Sequence, residues 1–254
     1  MQSSRAEAER LADDIEARLA AHADPARAIR ERAYLKSELR FLGAGMTAVR
    51  DVTRAWQRER RLDRPALLAL VEAMWGRDLH ELRAVAIVLL QREVRQLQSK
   101  DIAFVEALIR DSHTWAYVDE LAAHIAGALV ERDLGLGATL DRWAADGDFW
   151  VRRSAMLALL RPIRAGGGDF ERFARYADAM LEEREFFIRK AIGWVLRETS
   201  KRRPALVAAW LLPRARRASG VTIREAVKYL PAADRAAILA AYAEGHAGSR
   251  TARA

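Results

Sequence analysis

Apolar side chains recur three and four residues apart along most of the chain, which is the spacing of one face of an α-helix. The clearest stretches are ERAYLKSELRFLG, RPALLALVEAMWG, DIAFVEALIRD, FERFARYADAMLEER and RAAILAAYAEG. Glycine and proline interrupt the pattern between them, for example at Gly43, Pro65, Gly137, Gly166 to Gly168 and Pro231. No stretch shows the apolar–polar alternation of a half-buried strand. The pattern therefore predicts an all-α protein.

A shorter pattern repeats within these helices: an aliphatic residue followed at once by a charged one. The aliphatic positions are Val49, Leu82, Val118, Val151, Ile188 and Ile223. They recur about every 35 residues, a period typical of stacked helix–turn–helix units. Because no tetratricopeptide signature accompanies them, the pattern favours a HEAT-like α-solenoid of six helical hairpins. We expect one domain over residues 1–245 and a flexible tail over residues 246–254.

The charged residue after each aliphatic position forms a second pattern. In a stack of hairpins, equivalent positions form a column across the concave face. We name these residues the arginine column: Arg50, Arg83, Asp119, Arg152, Arg189 and Arg224. Its arginines either bridge to carboxylates of neighbouring repeats or form a basic track for a phosphate backbone, and both alternatives stay open here. Asp119 is the exception in either case.

Composition narrows the class of protein. Hydrophobic residues make up 51% of the 254 residues and charged residues 31%, which is typical of a globular chain. The absence of cysteine excludes disulfides and thiolate metal sites. The five histidines lack metal-ligand spacing, and we expect neither a metal nor a cofactor. With no apolar run of about 20 residues and no signal peptide, we expect a cytoplasmic monomer without a membrane partner.

The net charge is +8 and the pI about 10.2. Lysine and arginine total 43, and arginine supplies nearly all of them. Such a surface favours phosphate backbones, because neutralised phosphates release counterions. The alternative is that a chain rich in alanine and arginine reflects a GC-rich genome, so charge alone does not establish nucleic-acid binding.

Three consecutive repeats carry the candidate chemistry. Trp115 precedes Asp119 by four residues, so both lie on one helix face. Arg153 follows the column position of the next repeat, and Trp194 and Arg197 belong to the one after it. We expect stacking to bring these residues to one concave spot, although each also has an ordinary structural interpretation. Tryptophans at helical spacing are usually core, and a carboxylate can complement a helix dipole.

A substrate that satisfies all three residue types carries both a cation and a phosphate. Tryptophan faces attract cations, a carboxylate attracts a cation or orients water, and arginine binds phosphate bidentately. Purine nucleotides alkylated at N3 or N7 have this character, because alkylation leaves the base positively charged. Loss of that base leaves an oxocarbenium ion on the sugar, which a fixed carboxylate stabilises.

The segments YLKSELRFLG, TWAYVDEL, FWVRRSAML and FFIRKAIGWVLRE resemble the AlkD-type DNA alkylation-repair glycosylases, which have HEAT-like repeats. The resemblance covers roughly residues 5–240, and KAIGWVLRE and the W-x-x-V-D element are its most specific parts. It implies a solenoid that holds duplex DNA on its concave face. It also implies monofunctional hydrolysis of the N-glycosidic bond of 3-methyladenine and 7-methylguanine, with the lesion left largely in the duplex.

By this resemblance, Asp119 is the catalytic carboxylate, and Trp115 and Trp194 contact the lesion nucleotide's sugar and stabilise its cationic charge. The candidate DNA-binding residues are Tyr34, Arg152, Arg153, Arg189, Lys190 and Arg197. Of these, the resemblance identifies Arg153 and Arg197 as backbone contacts and Tyr34 as an aromatic near the site. No lysine takes a catalytic position, so we do not expect strand cleavage.

Two departures from the family pattern bear on lesion range. Thr114 stands where the family often has a second aromatic, and the AGMTAVR loop lacks an expected proline. Because the family has no tight base pocket that selects by size, bulky N3 or N7 adducts are also candidate substrates. The rival hypothesis is a non-catalytic HEAT-type scaffold that binds nucleic acid or a partner protein through its basic concave face. Asp119 distinguishes the two, since a basic track gains nothing from one reversed charge.

Overall fold

The computed structural model describes the backbone of residues 2–247 and the side chains of residues 5–247. Over this part of the chain the secondary structure is helical, with short 3-10 turns and one π-helical turn between α-helices. It contains no β-strand, only an isolated bridge between Arg40 and Leu79. The predicted all-α fold is confirmed. None of the described helices is long and apolar enough to cross a membrane.

Sixteen α-helices follow one another along the described residues. They are α1 (Gln2–Ala20), α2 (Pro25–Leu35), α3 (Met46–Glu59), α4 (Arg64–Trp75), α5 (His80–Arg92), α6 (Ile102–Arg110), α7 (Trp115–Glu120), α8 (Gly127–Arg132), α9 (Gly137–Ala144), α10 (Phe149–Leu157), α11 (Leu160–Arg164), α12 (Phe170–Ala179), α13 (Phe186–Ser200), α14 (Pro204–Leu211), α15 (Gly220–Ala226) and α16 (Ala232–His246). The remaining residues of the predicted tail, 248–254, lie outside the described residues.

The aliphatic repeat has a direct structural counterpart. Each aliphatic position is the third or fourth residue of α3, α5, α7, α10, α13 or α15, and its side chain is at most 1% exposed. A first helix precedes each of these second helices: α2, α4, α6, α9, α12 and α14. The six repeats therefore share this order of first and second helix, and they share the burial of one aliphatic side chain in the first turn of the second helix.

The described residues fall into two compact units that divide after Leu121. In the N-terminal unit, α5 packs against α3, α4 and α7, and α1 covers α3 and α4. In the C-terminal unit, α13 packs against α10, α11, α14 and α15. In both units the second helices pack against one another, as expected for stacked helix pairs.

One predicted helix ends early. The pattern in ERAYLKSELRFLG predicts a helix up to the break at Gly43, but α2 ends at Leu35 and Lys36 adopts a left-handed conformation with φ 49°. The reason is a buried carboxylate distant in sequence. Glu81, which has no exposed surface, accepts the backbone N–H groups of Leu42 at 3.0 Å and Gly43 at 2.7 Å. An extended loop suits these contacts, and the prediction of helix there was wrong.

Gly193, in the KAIGW segment, permits a close contact between α13 and α15. A Cβ at this position would lie 2.7 Å from the Cβ of Glu225 and 3.0 Å from the carbonyl oxygen of Thr222. The backbone of α13 therefore approaches α15 at a distance that only glycine allows. This contact holds the part of α13 that carries Trp194.

We predict that Gly193→Ala destabilises the protein by about 1–3 kcal/mol, because the added methyl group overpacks the contact between α13 and α15. Chemical denaturation measures the effect. Gly147→Ala is the matched control, since a Cβ there meets no atom within 4 Å, and we expect it to leave stability unchanged or slightly raised. Equal stability of the two variants would contradict the assigned role of Gly193.

Candidate functional site

The start of α7 holds the predicted tryptophan–carboxylate pair. Thr114 caps the helix, and its side-chain oxygen accepts the N–H of Ala116 at 3.4 Å. Trp115 is the first residue of α7 and Asp119 the fifth, and both are half-buried. The departure at Thr114 therefore has a local reason: the residue is 7% exposed and serves as the helix cap. One face of α7 carries the pair, as predicted.

The helix changes geometry directly after this pair. A π-helical turn spans Leu121–Ala126 and leads into α8. Such turns are rare and occur frequently at functional sites. The helical ladder is thus interrupted two residues after Asp119, which is consistent with local structure adapted to a site.

Tyr117 anchors α7 from its buried face. The tyrosine is 3% exposed, and its hydroxyl lies 2.5 Å from Nδ1 of His80. His80 in turn stacks on Phe41 with ring centroids 4.3 Å apart. Burial lowers the pKa of His80 from 6.5 to about 4 and raises the pKa of Tyr117 above its ordinary value. Both groups are therefore neutral at physiological pH.

A second set of contacts supports the same side of α7. The Trp75 ring packs edge-on against Tyr117, and its Nε1 donates to Asp111 at 3.0 Å. The guanidinium of Arg83 lies 5.1 Å from the Trp75 ring centroid and pairs with Asp111 at 2.9 Å. Sequence reasoning missed these supports, because the partners of Tyr117 lie about one repeat away and share no local motif.

An open pocket of about 310 Å³ adjoins Trp115 within the N-terminal unit. Its aromatic rim is formed by Tyr34 and Trp115, whose ring centroids are 6.2 Å apart at an interplanar angle of 89°. Tyr34 is 73% exposed. Aliphatic side chains and a few polar groups form the remaining wall, including Met46, Ile87, Val88, Arg50 and Glu120. The residues that line the pocket do not include Asp119.

The C-terminal unit brings Arg153 and Trp194 together. Arg153 is 2% exposed, and its guanidinium lies 6.0 Å from the Trp194 ring centroid and 5.9 Å from that of Phe187. It also donates a hydrogen bond to the Phe187 carbonyl oxygen. Trp194 itself is half-buried. Arg153 therefore supports the Trp194 ring from within the unit and offers little surface to an external phosphate.

Glu225 gathers three cations on one carboxylate. Lys190 donates to it at 2.6 Å, Arg197 at 2.5 Å and Lys228 at 3.0 Å. Burial by itself raises the pKa of Glu225, but hydrogen bonds from Lys190 and Lys228 outweigh it and the pKa falls to about 2. The carboxylate is ionised at neutral pH and holds Lys190 and Arg197 in fixed positions.

Glu183 has a similar role for two members of the arginine column. Arg152 pairs with its carboxylate bidentately at 3.1 and 2.8 Å and also donates to the carbonyl oxygen of Asp146. Arg189 donates to the backbone carbonyl of Glu183 at 2.6 Å. For Arg152, as for Arg83, the side chain bridges to a carboxylate of the neighbouring repeat, whereas Arg189 bonds to a backbone carbonyl just before its own helix. By contrast, Arg50 and Arg224 are exposed.

No group of three histidine, aspartate or glutamate side chains in the described part of the chain is arranged to hold a metal ion.

The fold and the candidate residues define an all-α protein of repeated helix pairs with a basic surface. Residues 15–230 match the family of DNA alkylation repair enzymes, and the chain belongs to that family. Membership of this family supports the interpretation that the protein is a DNA-repair enzyme and that its partner is DNA. No curated protein matches the chain.

Several solved structures resemble the fold of this chain. A predicted DNA alkylation repair enzyme from Enterococcus faecalis matches with a TM-score of 0.74 and 25% identity, over 83% of this chain and 98% of that chain. AlkD2 from Streptococcus mutans matches with a TM-score of 0.57 and 19% identity, over 74% of this chain and 91% of that chain. The protein smu.31 from Streptococcus mutans UA159 gives 0.56 and 18%, over 73% of this chain and 93% of that chain. The last two likenesses concern the fold alone.

The depressed pKa of His80 predicts a specific pH dependence of stability. Its folded pKa of about 4 lies below the ordinary value of 6.5, so the neutral ring contributes fully above pH 6.5. That contribution is lost as the pH falls from 6.5 to 4, because the unfolded chain takes up a proton first, and the loss is at most roughly 3 kcal/mol.

We expect His80→Gln to flatten the change in unfolding free energy between pH 6.5 and 4 relative to the wild type. The exposed His22 supplies the control, and His22→Gln should keep the wild-type slope. Denaturation across this pH range measures both. Parallel curves for the wild type and His80→Gln would show that His80 is not held neutral.

Proposed function

We propose that the protein is a monofunctional DNA glycosylase that removes cationic N3- or N7-alkylated purines, including 3-methyladenine and 7-methylguanine, from duplex DNA. The observation that carries the proposal is the single carboxylate of the arginine column. Asp119 lies one helical turn from Trp115 on α7, in a chain of the DNA alkylation repair enzyme family. A carboxylate at this position would stabilise a cationic transition state, whereas it would repel the phosphates of a DNA backbone.

In the proposed reaction, the bond between C1′ of the sugar and N9 of the alkylated purine breaks, and its electron pair returns to the purine. The base leaves neutral, and an oxocarbenium ion forms at C1′ and the ring oxygen. Asp119 stabilises this cation electrostatically and orients the attacking water. Water adds to C1′ and its proton passes to solvent, so the products are the free base and an abasic site. Residues of the chain form no covalent intermediate.

Trp115 and Trp194 contribute aromatic faces that favour the cationic nucleotide. We assign Arg153 as a positioning residue for Trp194, since it is 2% exposed and lies 6.0 Å from the centre of that ring. Lys190 and Arg197 meet the DNA backbone from the positions that Glu225 fixes. A cation held in place before binding loses less conformational entropy when it contacts a phosphate.

The same assignment covers the remaining candidates. Tyr34 is exposed beside Trp115 and contacts the lesion strand from the pocket rim. Arg152 and Arg189 keep their intramolecular bonds and add positive potential near the backbone. Their contribution is to steer the duplex rather than to bind single phosphates.

The pocket beside Trp115 supports a substrate range wider than methylated purines. Its volume of about 310 Å³ exceeds the space that a methyl group needs, and its wall combines aliphatic side chains with the Tyr34 and Trp115 rings. We propose that the pocket receives the substituent of bulky N3 or N7 adducts while the base stays in the duplex.

The central test is release of 7-methylguanine from methylated duplex DNA under single-turnover conditions. We expect release by the wild type and a loss of at least about tenfold in Asp119→Asn, equivalent to roughly 1.4 kcal/mol of barrier. Glu120→Gln is the matched control, because it neutralises the neighbouring exposed carboxylate on the same helix. We expect that variant to retain release.

The rival scaffold hypothesis makes the opposite prediction. A non-catalytic protein would bind duplex DNA and release no base from methylated or larger adducts. Equal losses in Asp119→Asn and Glu120→Gln would instead indicate a general charge effect, and both results would contradict the role proposed for Asp119.

The proposed role of the pocket is tested by filling it. Met46 lines the pocket and is 42% exposed, so Met46→Trp adds bulk without altering the core. We expect release of 7-benzylguanine to fall by about tenfold or more, while release of 7-methylguanine stays near the wild-type rate. Equal retention of both activities would show that the adduct substituent does not enter the pocket.

A further inference from the structure

The C-terminal unit contains a second cleft that none of the candidate site residues lines. It measures about 460 Å³ and opens between the end of α11 and the end of α13. Four cationic side chains surround it: Arg161, Arg164, Lys201 and Arg202. We name this the basic cleft. All four residues are exposed.

The charges of the basic cleft are not balanced within the protein. Glu198 lies at its floor, 5% exposed, and accepts Lys201 at 2.9 and 2.8 Å. Arg161 lies 3.9 Å from Glu131, too far for a strong hydrogen bond. Two carboxylates thus face four cations, and the surplus positive charge favours an anion.

Complementing helix dipoles is the alternative role for these residues. A basic side chain at a helix C-terminus contributes about 0.3–1 kcal/mol through this effect, and Arg164 occupies such a position at the end of α11. The helix dipoles account for the position of a single basic side chain such as Arg164. They do not account for four basic side chains around one opening, because like charges repel one another. A bound anion removes that repulsion.

The walls of the basic cleft are fixed. Arg203 donates to the Gly167 carbonyl oxygen at 2.8 Å, and its guanidinium lies 5.8 Å from the Phe170 ring centroid. This holds the glycine loop that follows Arg164 and Ala165. The glycine loop is thereby tied to the chain just beyond α13.

The place of the basic cleft relative to Trp194 and Arg197 favours a DNA backbone phosphate as the anion. Trp194, Arg197 and Lys201 follow one another at roughly one-turn intervals, so Lys201 lies two turns from Trp194, about 10.5 Å along the helix. That distance equals about three base-pair rises of about 3.4 Å in duplex DNA. A backbone that meets Arg197 would reach the basic cleft next.

We propose that the basic cleft binds phosphodiester groups of the DNA backbone, roughly three nucleotides from the lesion nucleotide. The distance to the lesion rests on the function proposed for Trp194, whereas phosphate binding itself does not. The cleft extends the contacts of Arg197 and acts on DNA affinity, with no part in bond cleavage.

The test uses the double variant Arg164→Ala/Arg202→Ala, which keeps the bonds between Lys201 and Glu198. Affinity of the full chain for a short undamaged duplex is measured by fluorescence anisotropy over a range of salt concentrations. We expect the slope of log affinity against log salt to become shallower by about 1.8, since each lost phosphate contact removes about 0.9. Release of 7-methylguanine by saturating enzyme should stay at the wild-type rate.

The control is Arg175→Ala/Arg235→Ala, which removes two exposed arginines of α12 and α16 and should keep the wild-type slope. A wild-type slope in the cleft variant would overturn the proposal, as would an equal change in the control. A shallower slope in the cleft variant alone supports phosphate binding by the basic cleft, whether or not the wild type releases a base. Absence of base release by the wild type would refute the glycosylase function but not the basic cleft.

The spacing is tested with methylphosphonate groups, which replace single phosphates of a lesion duplex by neutral ones. We expect neutralisation about three nucleotides from the lesion to weaken binding by the wild type but not by the double variant. Equal weakening of both proteins at that position would contradict the placement.

Discussion

Each second helix buries one aliphatic side chain in its first turn, and this burial determines where the next residue lies. The six side chains are at most 1% exposed, so each helix is held in one rotation about its axis. Burying such a side chain contributes about 1.5–3 kcal/mol, which strongly disfavours any other rotation. The charged residue that follows each aliphatic one, Asp119 among them, therefore has a defined direction from its own helix. The register of the core thus determines the position of the proposed chemistry.

The members of the arginine column differ in what surrounds them. Arg83, Arg152 and Arg189 bond to groups of their own units, so much of the column contributes to structure. Asp119 departs from this pattern two residues before a π-helical turn, on a helix anchored by Tyr117 and His80. A rigid support is what a carboxylate needs if it is to stabilise charge that develops in the transition state, because such stabilisation depends on preorganised geometry.

The helix pairs, their period and the shared face of Trp115 and Asp119 were predictable from the sequence, because helical periodicity is local. The early end of α2 was not, since Glu81 lies about 40 residues from the loop it binds. The burial of Arg153 was not predictable either, because its partner Trp194 belongs to the next repeat. Contacts between repeats decide such features, and no short motif records them. The roles of Asp119, Trp115 and Trp194 in catalysis stay predictions.

In the proposed reaction, Asp119 recognises positive charge on the sugar of the lesion nucleotide. Transition-state analogues bind more tightly than substrates when an enzyme is complementary to the transition state. The most direct measurement is therefore the affinity for duplex DNA that carries a cationic 1-azasugar, compared with the neutral tetrahydrofuran analogue. We expect the wild type to prefer the cationic ring by at least about tenfold, or roughly 1.4 kcal/mol, and Asp119→Asn to lose this preference. The same preference in both proteins would contradict the role proposed for Asp119.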